Sequence, residues 1–205
     1  MTTTLNHCLA HFGEPFDRQA VPASRLEDYK DKLPGLLLDH WRDYGWCGYG
    51  DGLFWLVDPQ AYAGVVEAWL EGHPLSHLDT YHTFARSAFG DLYLWGEESG
   101  LHLTIDSCSS TFMVHNMDIP RDEWSRELQR FLHSVTPEEN DFNGLFDSAK
   151  AQFGTLRSDE MYGFCPAILL GGAAKLKYLE KTQAIEHLTL LSQLAALTLD
   201  DCSEE

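Results

Sequence analysis

Histidine is the residue type in this sequence with the most obvious chemical potential, because imidazole titrates near neutral pH and binds transition metals. The chain has ten histidines, yet none belongs to an HExxH or HxH motif. His73 and His77 are four residues apart, but Pro74 between them prevents a continuous helix from placing both on one face. His115 ends a predicted strand and His187 lies in an otherwise apolar helix, which favours structural roles. The pattern therefore predicts no metal site.

The cysteines do not form a recognisable site either. They are odd in number and contain no CxxC pair, which argues against both a disulfide framework and a zinc site. We expect them to be reduced, buried and unreactive. The five are Cys8, Cys47, Cys108, Cys165 and Cys202.

Motifs for nucleophilic catalysis and for phosphate binding are also missing. There is no GxSxG sequence, and Gly171-Gly172 is not followed by the lysine and hydroxyl residue of a phosphate-binding loop. The carboxylates of Glu97-Glu98 and Glu138-Glu139 are adjacent in predicted turns, so we expect them to diverge into solvent. The sequence therefore predicts a protein that is not an enzyme and that uses no cofactor. An enzyme of an unrecognised type stays as an alternative.

The net charge of -18 is the clearest compositional feature. Residues 1–118 carry 6 basic and 17 acidic side chains, and residues 119–205 carry 8 and 15, so both halves are acidic. Such a chain repels nucleic acid and anionic membranes and attracts a basic partner. The alternative, that the charge only keeps the protein soluble, is equally open. Because no signal peptide or membrane span is evident, we expect a cytoplasmic protein.

The elements that position these residues are organised around the segment from Asp39 to Pro59. A helix is expected to end at Gly45, where a helix commonly needs a positive φ angle. The apolar segments on either side of Gly50-Asp51-Gly52 predict a β-hairpin. Asp58 and Pro59 then have the residue types of a helix N-cap and first helical position.

Four further segments alternate between apolar and polar residues and are joined by short turns, which indicates an antiparallel meander. They are Thr80–Phe89, Leu92–Trp95, Leu101–Ile105 and Thr111–His115. The predicted fold class is therefore α+β, an antiparallel sheet with packed helices followed by a smaller α+β C-terminal part.

The C-terminal part has a different pattern. A helix is expected to start near Asp118 and Pro120, and a polar segment over residues 136–143 marks a soft boundary. A last helix is predicted from Lys181 to Leu197. We predict two domains, 1–118 and 119–205, with the boundary somewhere within 115–143.

Two sets of segments resemble known families. The first set is Val21–Pro22, Leu33–Pro34, Trp41, Tyr44–Trp46, Tyr49, Asp51–Pro59 and Ser87–Leu92. In these segments the N-terminal part resembles a GAD-like (GAD-related) domain. The second set is Tyr162–Phe164, Pro166–Ala167, Leu170–Gly172 and Glu186–Leu188. In these the C-terminal part resembles the C-terminal domain of Tdi-type immunity proteins of the type VI secretion system (T6SS).

The resemblance implies a cytosolic immunity protein that binds a cognate DNase toxin and neutralises it by covering its active site or DNA-binding site. The acidity of the chain agrees with this expectation, since a nuclease needs a basic surface to bind phosphate. The expected partner is therefore a basic nuclease toxin, with no direct contact to nucleic acid or membrane. Turn position and charge nominate six partner-binding residues: Tyr49, Asp51, Glu97, Glu98, Asp159 and Glu160.

A second function class remains open in the sequence. The aromatic residues near Trp46 and Trp55 are expected to pack in the core, but they are also suited to line a pocket for a ligand. The protein would then be a ligand-binding or regulatory domain without a toxin partner.

Overall fold

The computed structural model describes residues 5–200, and within them the chain builds one large sheet, one small sheet and eight α-helices. The strands, in chain order, are β1 (Phe16–Gln19), β2 (Trp46–Tyr49), β3 (Phe54–Leu56), β4 (Tyr81–Ser87), β5 (Leu92–Gly96), β6 (His102–Asp106), β7 (Thr111–Asn116), β8 (Glu160–Phe164), β9 (Leu179–Gln183) and β10 (Thr198–Leu199). The helices are α1 (Leu5–Cys8), α2 (Ala23–Asp28), α3 (Gly35–Tyr44), α4 (Pro59–Leu70), α5 (Trp124–Ser134), α6 (Pro137–Asn140), α7 (Leu145–Phe153) and α8 (Ala184–Ser192).

The large sheet has eight strands in the order β1-β2-β3-β4-β5-β6-β7-β10. Neighbours from β1 to β7 pair antiparallel, and β10 adds to β7 in the parallel direction. Strands β8 and β9 form a separate antiparallel pair. The α+β class and the antiparallel meander predicted from the sequence are therefore confirmed.

The central segment folds as its local chemistry predicts. Helix α3 ends at Gly45, whose φ is 80°, and an added Cβ there would overlap the carbonyl oxygen of Gln19. Three successive residues of positive φ turn the chain between β2 and β3, with Asp51 at the middle position. The Asp58 carboxylate then accepts a hydrogen bond from the Gln60 backbone N–H at 3.1 Å, which caps α4.

Helices cover both faces of the large sheet. On one face, Phe131 of α5 lies 5.6 Å from the Tyr93 ring and 4.9 Å from the His102 ring, centroid to centroid. Helix α5 also packs against α1 and α3. On the opposite face α4 packs against β4 and α8, and Arg86 of β4 donates a hydrogen bond to the Tyr62 hydroxyl of α4 at 2.9 Å.

Arg86 joins the large sheet to the C-terminal part. Its side chain is fully buried, and its Nη2 atom donates to the backbone carbonyls of Ser158 at 3.0 Å and Glu160 at 2.7 Å. Its guanidinium also lies over the Trp55 ring, 5.3 Å from the centroid. A buried guanidinium with only neutral partners is costly to desolvate, so every one of these hydrogen bonds matters.

The last predicted helix begins later than expected. The sequence pattern placed its start at Lys181, but that residue lies within β9, opposite Tyr162 of β8, and α8 begins at Ala184. The error has a physical cause, because pairing with β8 overrides the helical spacing of the apolar residues. The division into residues 1–118 and 119–205 stays a prediction, and β10 shows that the large sheet contains residues from both ranges.

The cysteines fall into two environments. Cys8, Cys47 and Cys108 are buried, as expected, whereas Cys165 is exposed. Cys202 lies outside the described residues. Over residues 5–200, no helix has the length and apolar character needed to cross a bilayer.

Candidate partner-binding site

Tyr49, one of the six nominated contact residues, lies in the core. Its side chain has 0% exposure, and its hydroxyl donates to Asn6 Oδ1 at 3.2 Å and lies 3.1 Å from His40 Nε2. Burial raises its pKa far above the ordinary value. Strand β2 is an inner strand, so a side chain near the hairpin is not necessarily at the surface. Tyr49 therefore supports the hairpin and does not present a contact surface.

Asp51 is exposed at the tip of the same hairpin. Its carboxylate pairs with Lys150 of α7 at 3.1 Å, and Lys150 also pairs with Asp147 at 3.1 Å. Both carboxylates help to raise the pKa of Lys150 against the effect of its partial burial. One lysine thus links the hairpin to the C-terminal part while two carboxylates remain largely in solvent.

Glu97 and Glu98 lie at the opposite end of the sheet from Asp51. The Glu97 carboxylate is only 18% exposed and contacts His82 Nε2 at 2.8 Å and Lys32 Nζ at 3.3 Å. Burial alone raises the pKa of Glu97, but these two partners outweigh it, so that the pKa is lowered. Glu98 is exposed and pairs with Arg121 at 3.3 Å. Both acids therefore already have basic partners within the protein.

Asp159 and Glu160 lie where the C-terminal part meets β4. Asp159 is exposed, 4.0 Å from the Arg157 guanidinium, and Glu160 is partly buried and pairs with Lys181 at 3.1 Å. The structure thus distributes the nominated residues over three separate places and does not bring them together.

A cleft that the sequence reasoning missed collects acidic residues on the face of the sheet beside α5. We call it the acidic cleft; its volume is 330 Å³. It is lined by Asp91, Tyr93, Thr104, Asp106, Thr111, Met113, His115, Phe131, Ser134, Val135, Glu139, Asn140 and Asp200. Four of these residues are carboxylates, and none of the described residues lining it is lysine or arginine.

The topology of the meander brings the acids of this cleft together. Asp91 precedes β5 and Asp106 ends β6, and Leu92 pairs with Ile105 in the antiparallel register. The two acids are 15 positions apart in sequence but lie at the same end of neighbouring strands. This placement was available from the predicted meander, and it is the signal that points to the cleft.

Short hydrogen bonds hold the two central carboxylates in place. Ser87 Oγ donates to Asp91 Oδ2 at 2.7 Å. The Cys108 backbone N–H donates to Asp106 Oδ1 at 2.8 Å, and Ser109 Oγ donates to Asp106 Oδ2 at 2.6 Å. Burial, followed by the nearby charge of Asp106, raises the pKa of Asp91 from 3.8 to about 7.

The histidines beside the cleft do not offset its negative charge. His115 Nε2 lies 2.6 Å from Thr104 Oγ1, and the His115 ring stacks on His102 with centroids 5.1 Å apart. Burial lowers the pKa of His115, and burial together with His115 lowers that of His102 to about 3. At neutral pH both rings are therefore uncharged.

A second acidic hollow adjoins this cleft across α6. Its lining includes Asp51, Glu138, Asp141 and Asp147, with Lys150 as the basic residue. Helix α6 is fixed by a capping box, in which Thr136 Oγ1 accepts from the Glu139 N–H and the Glu139 carboxylate accepts from the Thr136 N–H. We call the acidic cleft and this hollow together the acidic face.

A separate cleft surrounds the tryptophans that the sequence suggested as a ligand pocket. This tryptophan cleft has a volume of 450 Å³ and lies on the α4 side of the sheet. Its lining includes Trp46, Trp55 and Tyr62, together with Asp58 and Arg157. Its polar groups are thus of mixed charge, unlike those of the acidic cleft. Across residues 5–200, no group of three or more histidine, cysteine or acidic side chains is arranged to hold a metal ion.

Comparison with known proteins identifies the two parts of the chain. A family model described as the GAD-like domain matches residues 3–109, which is more than half of the sequence. The chain belongs to the GAD-like domain family. After its GAD-like domain, residues 125–195 match the model described as T6SS immunity protein Tdi1, C-terminal. The family assignment made from the sequence is therefore confirmed.

A solved structure shares the fold of this chain. Protein Atu4351 from Agrobacterium tumefaciens superposes with a TM-score of 0.82 at 22% identity, over 94% of this chain and 90% of that one. At this identity the likeness establishes the fold alone. No curated protein matches the chain. Since an immunity protein acts on a toxin, the Tdi1 match implies a cognate T6SS toxin as partner.

Proposed function

We propose that this protein neutralises a T6SS DNase toxin in the cytoplasm by placing its acidic face over the toxin's active site or DNA-binding site. The observation that carries the proposal is the acidic cleft, in a chain with a Tdi1 C-terminal domain: its described lining residues include four acidic side chains and neither lysine nor arginine. A nuclease must present basic groups to bind phosphates. The acidic face has the complementary charge.

The charge of the whole chain supports the same partner. A net charge of -18 attracts a basic protein over a distance and accelerates encounter, and short-range contacts then set the lifetime of the complex. No chemical step is required of the immunity protein, because occupying the basic surface of the toxin is enough to exclude DNA. The protein acts as a stoichiometric inhibitor and not as an enzyme.

The test is to co-express this protein with the product of the neighbouring gene, as the candidate toxin, and to purify the pair. We expect a stable complex, and we expect the toxin to degrade plasmid DNA alone but not after addition of one equivalent of this protein. The association rate should fall as salt rises from 50 to 500 mM, since screening weakens steering. A toxin that binds but attacks a substrate other than DNA would contradict the nuclease part of the proposal.

The tryptophan cleft supports a second candidate, a ligand-binding or regulatory domain. Its volume of 450 Å³ and its aromatic lining suit a small organic molecule. Screening a metabolite library by thermal shift, with Trp46→Ala as the comparison, tests this function. A ligand that stabilises the wild type but not the variant, with no affinity for the toxin, would replace the immunity proposal.

A further inference from the structure

The two central carboxylates of the acidic cleft differ from the nominated acids in how their charge is balanced. Most of the nominated acids elsewhere pair with a basic side chain of the protein itself: Asp51 with Lys150, Glu98 with Arg121 and Glu160 with Lys181. Within residues 5–200, the carboxylates of Asp91 and Asp106 are held by hydroxyl and backbone donors and form no ion pair. The two carboxyl groups are therefore held in position without a basic partner among the described residues.

The walls of the same cleft are apolar and partly open. Met113 is 39% exposed although it is a large hydrophobic residue, and Phe131 and Tyr93 complete an aromatic wall. Carboxylates at one end and aromatic faces along the side suit a long basic side chain, whose alkyl part packs against the wall while its charge reaches the acids. A fully solvated acidic patch would lack this apolar wall.

We propose that the acidic cleft receives a lysine or arginine side chain from the toxin, with Asp91 and Asp106 binding its charged group. This inference rests on the proposed function and specifies which part of the acidic face makes the central contact. The aromatic wall excludes water from the pair, so the contact is stronger than one at an exposed acid. The hollow around Asp51 then forms part of the surrounding rim, where Lys150 already pairs with Asp51 and Asp147.

The arriving positive charge should also displace a proton. Near neutral pH, Asp91 is protonated in a large fraction of the free molecules, because burial and Asp106 both raise its pKa. Besides Asp106, the titratable groups lining the cleft are Tyr93, Glu139, His115 and Asp200. The carboxylates favour the protonated form of Asp91, and the uncharged His115 does not oppose them. A lysine or arginine beside Asp91 reverses the balance, so binding releases a proton.

The experiment compares three forms of the protein in binding to a catalytically inactive form of the candidate toxin, the product of the neighbouring gene. The forms are the wild type, D91N/D106N, and the control E67Q/E71Q. Glu67 and Glu71 are exposed acids on or next to α4, which covers the opposite face of the sheet, so the control also replaces two acidic side chains by amides but does so away from the acidic cleft. Melting temperatures establish that all three forms are folded.

We expect D91N/D106N to bind about 100-fold more weakly than the wild type, and E67Q/E71Q to bind within about threefold of it. Calorimetry at pH 7 in phosphate and in Tris should show proton release for the wild type and a much smaller release for D91N/D106N. Equal affinity of D91N/D106N and the wild type would overturn the inference while leaving the immunity function intact. No binding of the wild type to the toxin would instead overturn the proposed function.

Discussion

Replacing Asp91 by asparagine should stabilise the protein at neutral and alkaline pH. The folded state raises the pKa of Asp91 from 3.8 to about 7, so ionising this group costs more in the folded protein than in the unfolded chain. Each pKa unit corresponds to about 1.4 kcal/mol, and the full shift therefore corresponds to about 4 kcal/mol. Because Asp91 is partly open to solvent, screening reduces the effect, and we expect about 2 to 3 kcal/mol.

The pH dependence gives this prediction its sign. Below pH 4 the carboxyl group is protonated in both states and contributes nothing to the difference. Between pH 4 and 7 the unfolded chain loses the proton while the folded protein retains it, so the wild type loses stability relative to D91N. Above pH 7 both states are ionised and the difference stays constant.

Urea denaturation of both proteins at several pH values between 5 and 8, monitored by tryptophan fluorescence, measures the stability difference between them. Burial lowers the pKa of His40 to about 4 and that of His102 to about 3, and these groups make stability rise with pH in the same interval. Their effect is common to the two proteins and cancels in the comparison. Any pH-independent change in stability caused by the asparagine amide also cancels when the stability differences at two pH values are compared.

The result that would refute the reasoning is a stability difference between wild type and D91N that does not change between pH 5 and 8. It would mean that Asp91 has an ordinary pKa in the folded protein and that solvent reaches it freely. If the stability difference between D91N and the wild type does grow with pH, the ionised carboxylate of Asp91 destabilises the wild-type protein. A binding role, as proposed for the acidic cleft, explains why such a residue is kept.

Three substitutions and one titration test other parts of the structure. Arg86→Lys should lower the free energy of unfolding by about 3 to 5 kcal/mol, because an ammonium group cannot reproduce the separate hydrogen bonds of the guanidinium. Urea denaturation measures this change, and a loss under about 1 kcal/mol would contradict the prediction. In the same assay Gly45→Ala should lower the free energy of unfolding by about 2 kcal/mol or more, because Gly45 has a positive φ and a Cβ there would overlap the Gln19 carbonyl. Gly64→Ala, inside α4 with open space around it, should instead raise the free energy of unfolding by up to about 1 kcal/mol. The imidazole NMR signals of His102 should not titrate between pH 5 and 8, because its pKa is about 3; a midpoint near 6.5 would show that the ring is hydrated.

The sequence was most informative where structure depends on neighbouring residues. Gly45, the turn around Asp51 and the Asp58 cap were all predictable, because φ preferences and side-chain capping act over a few residues. Lys181 was misplaced in a helix because its strand depends on β8, about 20 residues earlier in the chain.

The candidate site was harder to predict because it depends on burial and on pairing between distant residues. Tyr49 was predicted to contact a partner at the surface, but the sheet order places β2 inside the fold and its side chain is buried. Asp91 and Asp106 carry no motif, and only the strand register brings them together. Asp200 reaches the same cleft through β10, a two-residue parallel strand that leaves no periodic pattern in the sequence.

The position of β10 has a consequence for how the protein is made. A ribosome completes β1 to β7 long before it reaches residues 198–200, so the nascent sheet has an open edge along β7 while the immunity domain is synthesised. An open edge invites pairing with other chains until it is covered. The hydrogen bond from the Asp200 N–H to the Phe112 carbonyl, at 2.8 Å, continues the pairing of β10 with the first residues of β7 and places Asp200 at the acidic cleft. A chain interrupted before residue 198 therefore lacks this strand and the part of the acidic cleft that Asp200 lines.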